Sequence, residues 1–142
     1  MYLQWSEAFD IGVPLIDLQH RRLAELINEV HDSYARDGSV SSVYSVFNAL
    51  VRYAEEHFRS EEALMEETRY PELARQKREH QRFLYSIFGL NEKYAAGDDD
   101  VKEETLSFLK TWLLEHILQM DRKMGEYLQE REIPERWRSV SA

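Results

Sequence analysis

The sequence predicts an all-α protein, an antiparallel up-down four-helix bundle with an extended N-terminal arm. Two observations lead to this fold class. Apolar residues recur three and four positions apart over four long stretches, as on the buried face of an α-helix, and no long stretch alternates with the period of two typical of a β-strand. Only short loops separate the four stretches, and helices joined by short loops pack side by side in opposite directions.

The first two predicted helices span residues 16–37 and 41–67 and are separated by a turn near Gly38. Each has one stripe of apolar residues that also contains ionisable side chains. The stripe of the first helix is Ile16, His20, Leu23, Ile27, Val30 and Tyr34. The stripe of the second helix is Val43, Phe47, Leu50, Ala54, His57, Glu61 and Leu64. His31 lies off the first stripe, so we leave it out of the candidate site.

The third and fourth predicted helices span residues 71–96 and 100–130. Pro71 suits the first turn of a helix, where its missing N–H is not needed. The stripe that follows it is Leu73, Gln76, His80, Phe83, Ile87, Leu90 and Tyr94. We predict a single domain over residues 1–142, in which residues 1–15 form the arm and residues 131–142 form a C-terminal tail.

Composition narrows the classes of partner and of metal site. The 142 residues include 27 acidic and 18 basic ones, a formal net charge of −9. This balance disfavours nucleic acids and anionic membranes as partners, because both need a basic surface. The chain has no cysteine, which excludes disulfides and thiolate metal ligands. No apolar run approaches the ~18 residues of a membrane span, and the first ten residues lack the apolar segment of a signal peptide. We therefore predict a cytoplasmic protein.

Six ionisable residues fall on or beside the apolar stripes, where an unpaired polar group is costly. They are His20, His57, Glu61, His80, His116 and Asp121. A single buried histidine is more often a satisfied core residue than a metal ligand, but here all four helices contribute, and a buried carboxylate needs a partner. Four imidazoles and two carboxylates exceed the four ligands of a zinc ion. They suit two iron or manganese ions with bridging carboxylates, so we predict a metal centre between the helices.

The spacing between His116 and Asp121 predicts an irregular turn in the fourth helix. Five residues rotate by ~140° around a regular α-helix, so the two side chains would face different directions. The apolar stripe changes register at the same place, from the line of Leu109 and Leu113 to the neighbouring line of Met124. A single π-type turn would realign the two lines, and we expect one there.

Several motifs resemble the hemerythrin family, specifically its single-domain bacteriohemerythrins, over nearly the whole chain. They are Ile16-Asp17-x-Gln19-His20, His57-Phe58-x-x-Glu61-Glu62, Tyr70-Pro71, Glu79-His80-x-x-Phe83 and Trp112-Leu113-x-x-His116-Ile117-x-x-x-Asp121. The resemblance implies two non-haem irons bridged by an oxo or hydroxo oxygen and by the carboxylates of Glu61 and Asp121. It implies that His20 and His57 bind the iron that has an open coordination position. The ligands that it implies for the other iron include His80 and His116.

Position 76 departs from the family pattern, which has a third histidine there on the second iron. This chain has Gln76, and an amide oxygen is a weaker, neutral donor. Three outcomes stay open: the amide coordinates through its oxygen, water takes the position, or that iron is bound loosely and lost. We expect two irons to bind, with the affinity on the Gln76 side lowered by at least the ~10–100-fold typical of changes around metal ligands.

The resemblance also implies a function, the reversible binding of dioxygen for transport, storage or sensing, without enzymatic turnover. For the apolar pocket at the open position we predict Leu113, Ile117, Trp112 and Phe58. Two alternatives stay open. If Gln76 leaves a position accessible to water and peroxide, the protein would be a di-iron enzyme of the peroxidase or oxidase type. In the second alternative, the protein is a module that signals the presence of iron or oxygen to a partner protein, whose identity the sequence does not indicate.

Overall fold

The structure is a computed structural model that describes residues 2–36, 40–98 and 100–138. Four long helical stretches pack as a bundle, which confirms the predicted all-α fold, and no described residue lies in a strand. The helices are α1 (Pro14–Ala35), α2 (Val40–Glu67), α3 (Leu73–Ala95), α4 (Val101–Glu115), a π-helical segment (His116–Asp121), α5 (Arg122–Gln129) and α6 (Glu135–Arg138). α1 packs against α2 and α4, and α3 packs against the same two helices. Residues 37 and 139–142, where predicted elements end, lie outside the described ranges.

Both ends of α1 differ from the prediction by two residues. The helix begins at Pro14 because the fixed φ of proline suits the first helical position, and the N–H of Asp17 donates to the carbonyl of Val13 at 2.9 Å. It ends at Ala35, since Arg36 has an extended backbone with φ −81° and ψ 149°.

α3 begins at Leu73 and not at Pro71. Glu72 has φ −102° and ψ 23°, outside the helical region, and the N–H of Leu73 bonds to the carbonyl of Tyr70 at 3.3 Å. The proline therefore lies in a turn before the helix. The predicted end of α2 at residue 67 coincides with the observed one, and the other predicted helix ends differ from the observed ones by one residue.

The irregular turn predicted in the fourth helix is confirmed. Residues His116–Asp121 form a π-helical segment between α4 and α5. At its end the N–H of Arg122 donates to the carbonyl of Ile117, five residues earlier. The predicted helix over 100–130 is therefore interrupted, and His116 and Asp121 both face the interior, with exposed fractions of 6% and 0%.

The N-terminal arm lies along α1 and crosses α5. The side chain of Asn28 makes two hydrogen bonds with the backbone of Leu3, at 2.7 and 2.8 Å, and the carboxylate of Asp17 accepts the N–H of Ile11 at 2.7 Å. Gly125 of α5 has no room for a side chain, because a Cβ there would overlap the Ile11 carbonyl. The arm is not extended throughout, since Glu7–Phe9 form a 3-10 turn.

The C-terminal tail contains one short helix, α6, which the sequence did not predict. Trp137 is buried, and its indole N–H lies 3.3 Å from a carboxylate oxygen of Glu67 at the end of α2. Arg136 forms an ion pair with the same carboxylate. The tail is thereby attached to α2. Within the ranges that the structure describes, no helix is long and apolar enough to cross a bilayer.

Candidate metal centre

Seven polar side chains from the four helical stretches meet in the interior of the bundle. Each is at most 6% exposed. α1 contributes His20, α2 contributes His57 and Glu61, α3 contributes Gln76 and His80, and the π-helical segment contributes His116 and Asp121. The structure thus brings together all six predicted ligands and the glutamine at position 76.

Each carboxylate lies between two imidazole rings that come from different helices. Oε1 of Glu61 is 2.7 Å from Nε2 of His57 and 3.6 Å from Nε2 of His80. Oδ2 of Asp121 is 3.1 Å from Nε2 of His20, and its Oδ1 is 3.2 Å from Nε2 of His116. Both carboxylates are therefore placed to link one pair of histidines to the other.

The donor atoms form two adjoining groups, each compact enough for one metal ion. One group consists of His20, His57, Glu61 and Asp121, and the other of Glu61, His80 and His116. Within each group the ligand atoms lie within 4.8 Å of one another. Glu61 belongs to both groups. Imidazole and carboxylate together are the ligand types of non-haem iron and manganese sites, whereas copper(I) prefers sulfur.

The buried polar atoms of this cluster lack the hydrogen bonds that a polar core would need. Atoms without a partner include both ring nitrogens of His20, both oxygens of Glu61, Nε2 of His80 and His116, and Oδ2 of Asp121. Leaving so many buried polar groups unsatisfied is costly in a folded protein. Two cations placed among these atoms would satisfy them, so the residues fit a pair of metal ions.

Two of the imidazole rings are oriented by side chains that the sequence did not single out. Nδ1 of His57 lies 2.8 Å from Oε1 of Gln19, whose amide nitrogen is 3.3 Å from the hydroxyl of Ser60. Nδ1 of His80 lies 2.9 Å from Oε2 of Glu62. If each Nδ1 carries the proton, the ring presents the lone pair of Nε2 to the metal, and the carboxylate partner makes His80 the stronger donor.

Aromatic rings cover the second group of donors. Phe58 stacks on His80 with ring centroids 4.0 Å apart, and Trp112 stacks on His116 at 4.5 Å. The rings of His20 and His57 instead contact each other edge to face at 4.8 Å. Stacking restricts rotation of His80 and His116 and shields them from solvent on that side.

The predicted pocket residues lie next to the cluster, but only three of them line one cavity. Phe58, Trp112 and Leu113 line a small apolar cavity that extends towards the core between α1, α2 and α4. Ile117 is fully buried and is not part of that lining. Trp112 and Phe58 contact His116 and His80, so they adjoin the second group of donors rather than the first.

Without metal, the two carboxylates differ in their affinity for protons. Burial, together with the nearby charge of Asp121, raises the pKa of Glu61 to about 8. Burial also acts to raise the pKa of Asp121, but the imidazoles of His116 and His20 beside it outweigh burial and hold this pKa well below its usual value. At neutral pH the cluster therefore contains a protonated glutamate and an ionised aspartate.

Folding shifts the pKa values of His57 and His116 in opposite directions. Burial lowers the pKa of His57 to about 4, so this ring is neutral and ready to bind a cation. For His116, burial opposes the charged form, but the carboxylate of Asp121 outweighs burial and the pKa is raised. A metal ion that binds at neutral pH must displace the proton of Glu61, and the raised pKa of His116 makes protons compete with the metal for that ring as well.

Gln76 contacts the cluster through its amide. Its Nε2 donates to Oδ1 of Asp121 at 3.0 Å, and its Oε1 is buried without a hydrogen-bond partner. The amide therefore binds the same oxygen that His116 approaches. Sequence reasoning missed this contact, and it missed the roles of Gln19 and Glu62. All three depend on the relative rotation of two helices.

The sequence matches a known family. The model of the hemerythrin HHE cation-binding domain matches residues 11–128. A bacteriohemerythrin from Methylococcus capsulatus is 32% identical over 127 residues, covering 89% of this chain and 96% of the relative. One from Stenotrophomonas maltophilia is 36% identical over 115 residues, covering 81% of this chain and 74% of the relative.

A solved structure supports the same relationship. The crystal structure of a wild-type hemerythrin superposes with a TM-score of 0.79 at 32% identity, covering 87% of this chain and 95% of the other. The similarity thus extends over sequence, fold and nearly the full length of both proteins. The chain belongs to the hemerythrin family.

Proposed function

We propose that this chain is a non-haem di-iron protein that binds dioxygen reversibly. The observation that carries the proposal is the pair of adjoining donor groups that share Glu61, buried between four helices and left with unsatisfied nitrogen and oxygen atoms. Membership of the hemerythrin family supports iron as the metal and dioxygen as the ligand.

The geometry supports an assignment of residues to the two ions. His20 and His57 would bind one iron, and His80 and His116 would bind the other. Glu61 and Asp121 would contact both, since each lies between histidines of the two groups. With a ferrous pair bound, the site would hold the two electrons that reversible binding of dioxygen requires.

The surrounding side chains exclude water and fix the ligands. Ile117 and Leu113 are 0% and 3% exposed, and the cavity that Leu113 lines with Phe58 and Trp112 has no polar lining. Gln19 holds the ring of His57, so its Nε2 stays directed at Glu61. An apolar, water-free surrounding slows the loss of a charged, reduced oxygen ligand, because neither water nor a proton donor reaches it.

The test is a visible spectrum of anaerobic, ferrous-loaded protein through one cycle of air and renewed deoxygenation, with iron counted on the same sample. We expect two irons per chain and a charge-transfer band that appears in air and disappears when oxygen is removed. An immediate, irreversible change to a ferric spectrum would contradict reversible binding.

A peroxidase-like activity is the second candidate, and one observation favours it. A polar cavity of about 50 Å³ lies beside Gln76, which places water-sized molecules close to the second donor group. Rapid consumption of hydrogen peroxide in the presence of a reductant, faster than the same amount of free iron produces, would support the enzyme over the carrier.

The remaining parts of the proposal concern location and partners. We propose a cytoplasmic protein whose ligand is dioxygen and which binds neither nucleic acid nor membranes, in keeping with its net charge of −9. A signalling role would need a protein partner, and a change in association state upon exposure to air would support that role.

A further inference from the structure

A small polar cavity adjoins the metal centre beside α3 and the π-helical segment. Its volume is about 50 Å³, which is room for one or two water molecules at ~30 Å³ each. Its lining includes Gln76 together with Tyr70, Glu72, Arg75, Gln119 and Lys123. The cavity is thus hydrophilic, unlike the apolar one that Leu113 lines.

This cavity lies close to the protein surface. A larger depression of about 410 Å³ shares three of its lining residues, namely Tyr70, Glu72 and Lys123. Glu72 pairs with Lys123 at 2.8 Å and with Arg75 at 3.4 Å, and all three of these side chains are partly exposed. Charged side chains that contact solvent therefore line the cavity together with the buried Gln76.

Gln76 forms the wall between the cavity and the donor atoms. It is 1% exposed, and its Nε2 donates to Oδ1 of Asp121 at 3.0 Å. Its Oε1 has no partner. Because the amide is engaged with Asp121 through its nitrogen, it leaves the metal ion beside it without a further nitrogen ligand from α3.

The donor group on this side provides few ligands. Glu61, His80 and His116 form a two-histidine, one-carboxylate set, a combination that leaves coordination positions of iron open to external ligands. Even with Asp121 as a further bridging ligand, two imidazoles and two carboxylates do not fill six positions. The other group also provides two imidazoles, from His20 and His57, and two carboxylates, but the cavity at Gln76 is not lined by either of its histidines.

We propose that the chain has a second position for external ligands, on the iron bound by His80 and His116, and that water-sized polar molecules reach it through the cavity at Gln76. Water, azide and hydrogen peroxide are of this class. The inference rests on the proposed di-iron function. It assigns to the iron on the Gln76 side an approach for polar ligands.

Azide is a suitable probe, because it is small, polar and a good ligand of ferric iron. Calorimetric titration of diferric protein, with iron counted on the same sample, should give two azides per chain for the wild type. Gln76→His should give one, because an imidazole at this position fills the second site. Gln76→Leu, similar in size but without polar atoms, should still give two azides per chain. It controls for the loss of the amide, because it replaces Gln76 without adding a metal ligand.

The outcomes separate this inference from the proposed function. If both the wild type and Gln76→Leu bound two irons but only one azide per chain, the proposed second ligand position would be overturned. The proposed di-iron centre would be unaffected by this result. Two azides in Gln76→His would place the second ligand elsewhere and also overturn it. Fewer than two irons in the wild type would overturn the proposed function and this inference together.

Discussion

The two halves of the metal centre have equal numbers of histidines but different surroundings. In one half, His20 and His57 contact each other, and the neutral amide of Gln19 holds His57. In the other half each ring is stacked on an aromatic side chain, and the carboxylate of Glu62 holds His80. A polar cavity lies beside this second half, at Gln76.

This difference shows that the set of protein ligands alone does not determine which external ligands a metal site can bind. Both halves contribute two imidazoles and share two carboxylates, yet the polar cavity at Gln76 lies beside the half that contains His80 and His116. The negative charge of Glu62 makes His80 a stronger donor, which compensates in part for the imidazole that Gln76 replaces. We infer that the half of His20 and His57 binds dioxygen and that the half of His80 and His116 exchanges polar ligands.

We expect the largest loss of iron when Glu61, the residue common to both halves, is replaced. Glu61→Ala deletes a carboxylate that belongs to both donor groups, so iron retention should fall by more than the ~10–100-fold seen for changes around metal ligands, and in both halves at once. Iron content after gel filtration against a chelator measures it. Glu66→Ala, an exposed position on the same helix, is the matched control. Retention of two irons in Glu61→Ala would contradict the sharing of this residue.

A matched pair of variants tests whether the two halves are separate. Gln19→Leu removes the partner of His57, and Glu62→Leu removes the partner of His80. Each should accelerate iron release by ~10–100-fold, but in different kinetic phases, because each affects one iron. Stopped-flow chelation with an iron-sensitive dye resolves the phases. If either variant accelerated both phases equally, the two halves would not be independent.

The smallest expected effect is the pH dependence of the metal-free protein. Between pH 6.5 and about 8 the folded state retains a proton on Glu61 that the unfolded chain has already lost, because folding raises this pKa to about 8, and the raised pKa of His116 acts in the same direction. Stability should therefore fall as the pH rises through this window, by about 1.4 kcal/mol per pH unit for each proton retained. Asp121 is ionised in both states here, and the lowered pKa of His57 opposes the fall only near pH 6.5, where the unfolded chain still holds part of that proton.

Urea unfolding of the metal-free protein at pH 6.5, 7.2 and 8.0 measures this slope. Glu61→Gln keeps the shape of the side chain without its titration, so the slope should decrease in this variant. The iron-loaded protein should show no such slope, since the metal has displaced both protons. If the stability of the metal-free protein instead rose from pH 6.5 to 8, the pKa values of Glu61 and His116 would not be raised by folding.

Much of the fold and of the candidate site could be predicted because both depend on helical periodicity. The stripe that places His57 above Glu61 also places the apolar core, and the five-residue step from His116 to Asp121 implied the π-helical segment that the structure contains. The start of α3 was wrong, because the turn at Glu72 depends on a backbone conformation that a proline signal alone does not specify.

The contacts that distinguish the two halves could not be predicted. The pairs of Gln19 with His57 and of Glu62 with His80 join different helices, so they depend on how each helix is rotated about its axis. The polar cavity beside Gln76 likewise results from side chains of two separate stretches of the chain, residues 70–76 and 119–123. Periodicity within one helix contains no information about such contacts.

The central claim is that six residues hold two irons. Its most direct test is an anomalous difference map at the iron absorption edge from crystals of iron-loaded protein. We predict two peaks, one next to His20 and His57 and one next to His80 and His116, with Glu61 and Asp121 in contact with both. A single peak, or a second peak away from His80 and His116, would contradict the account.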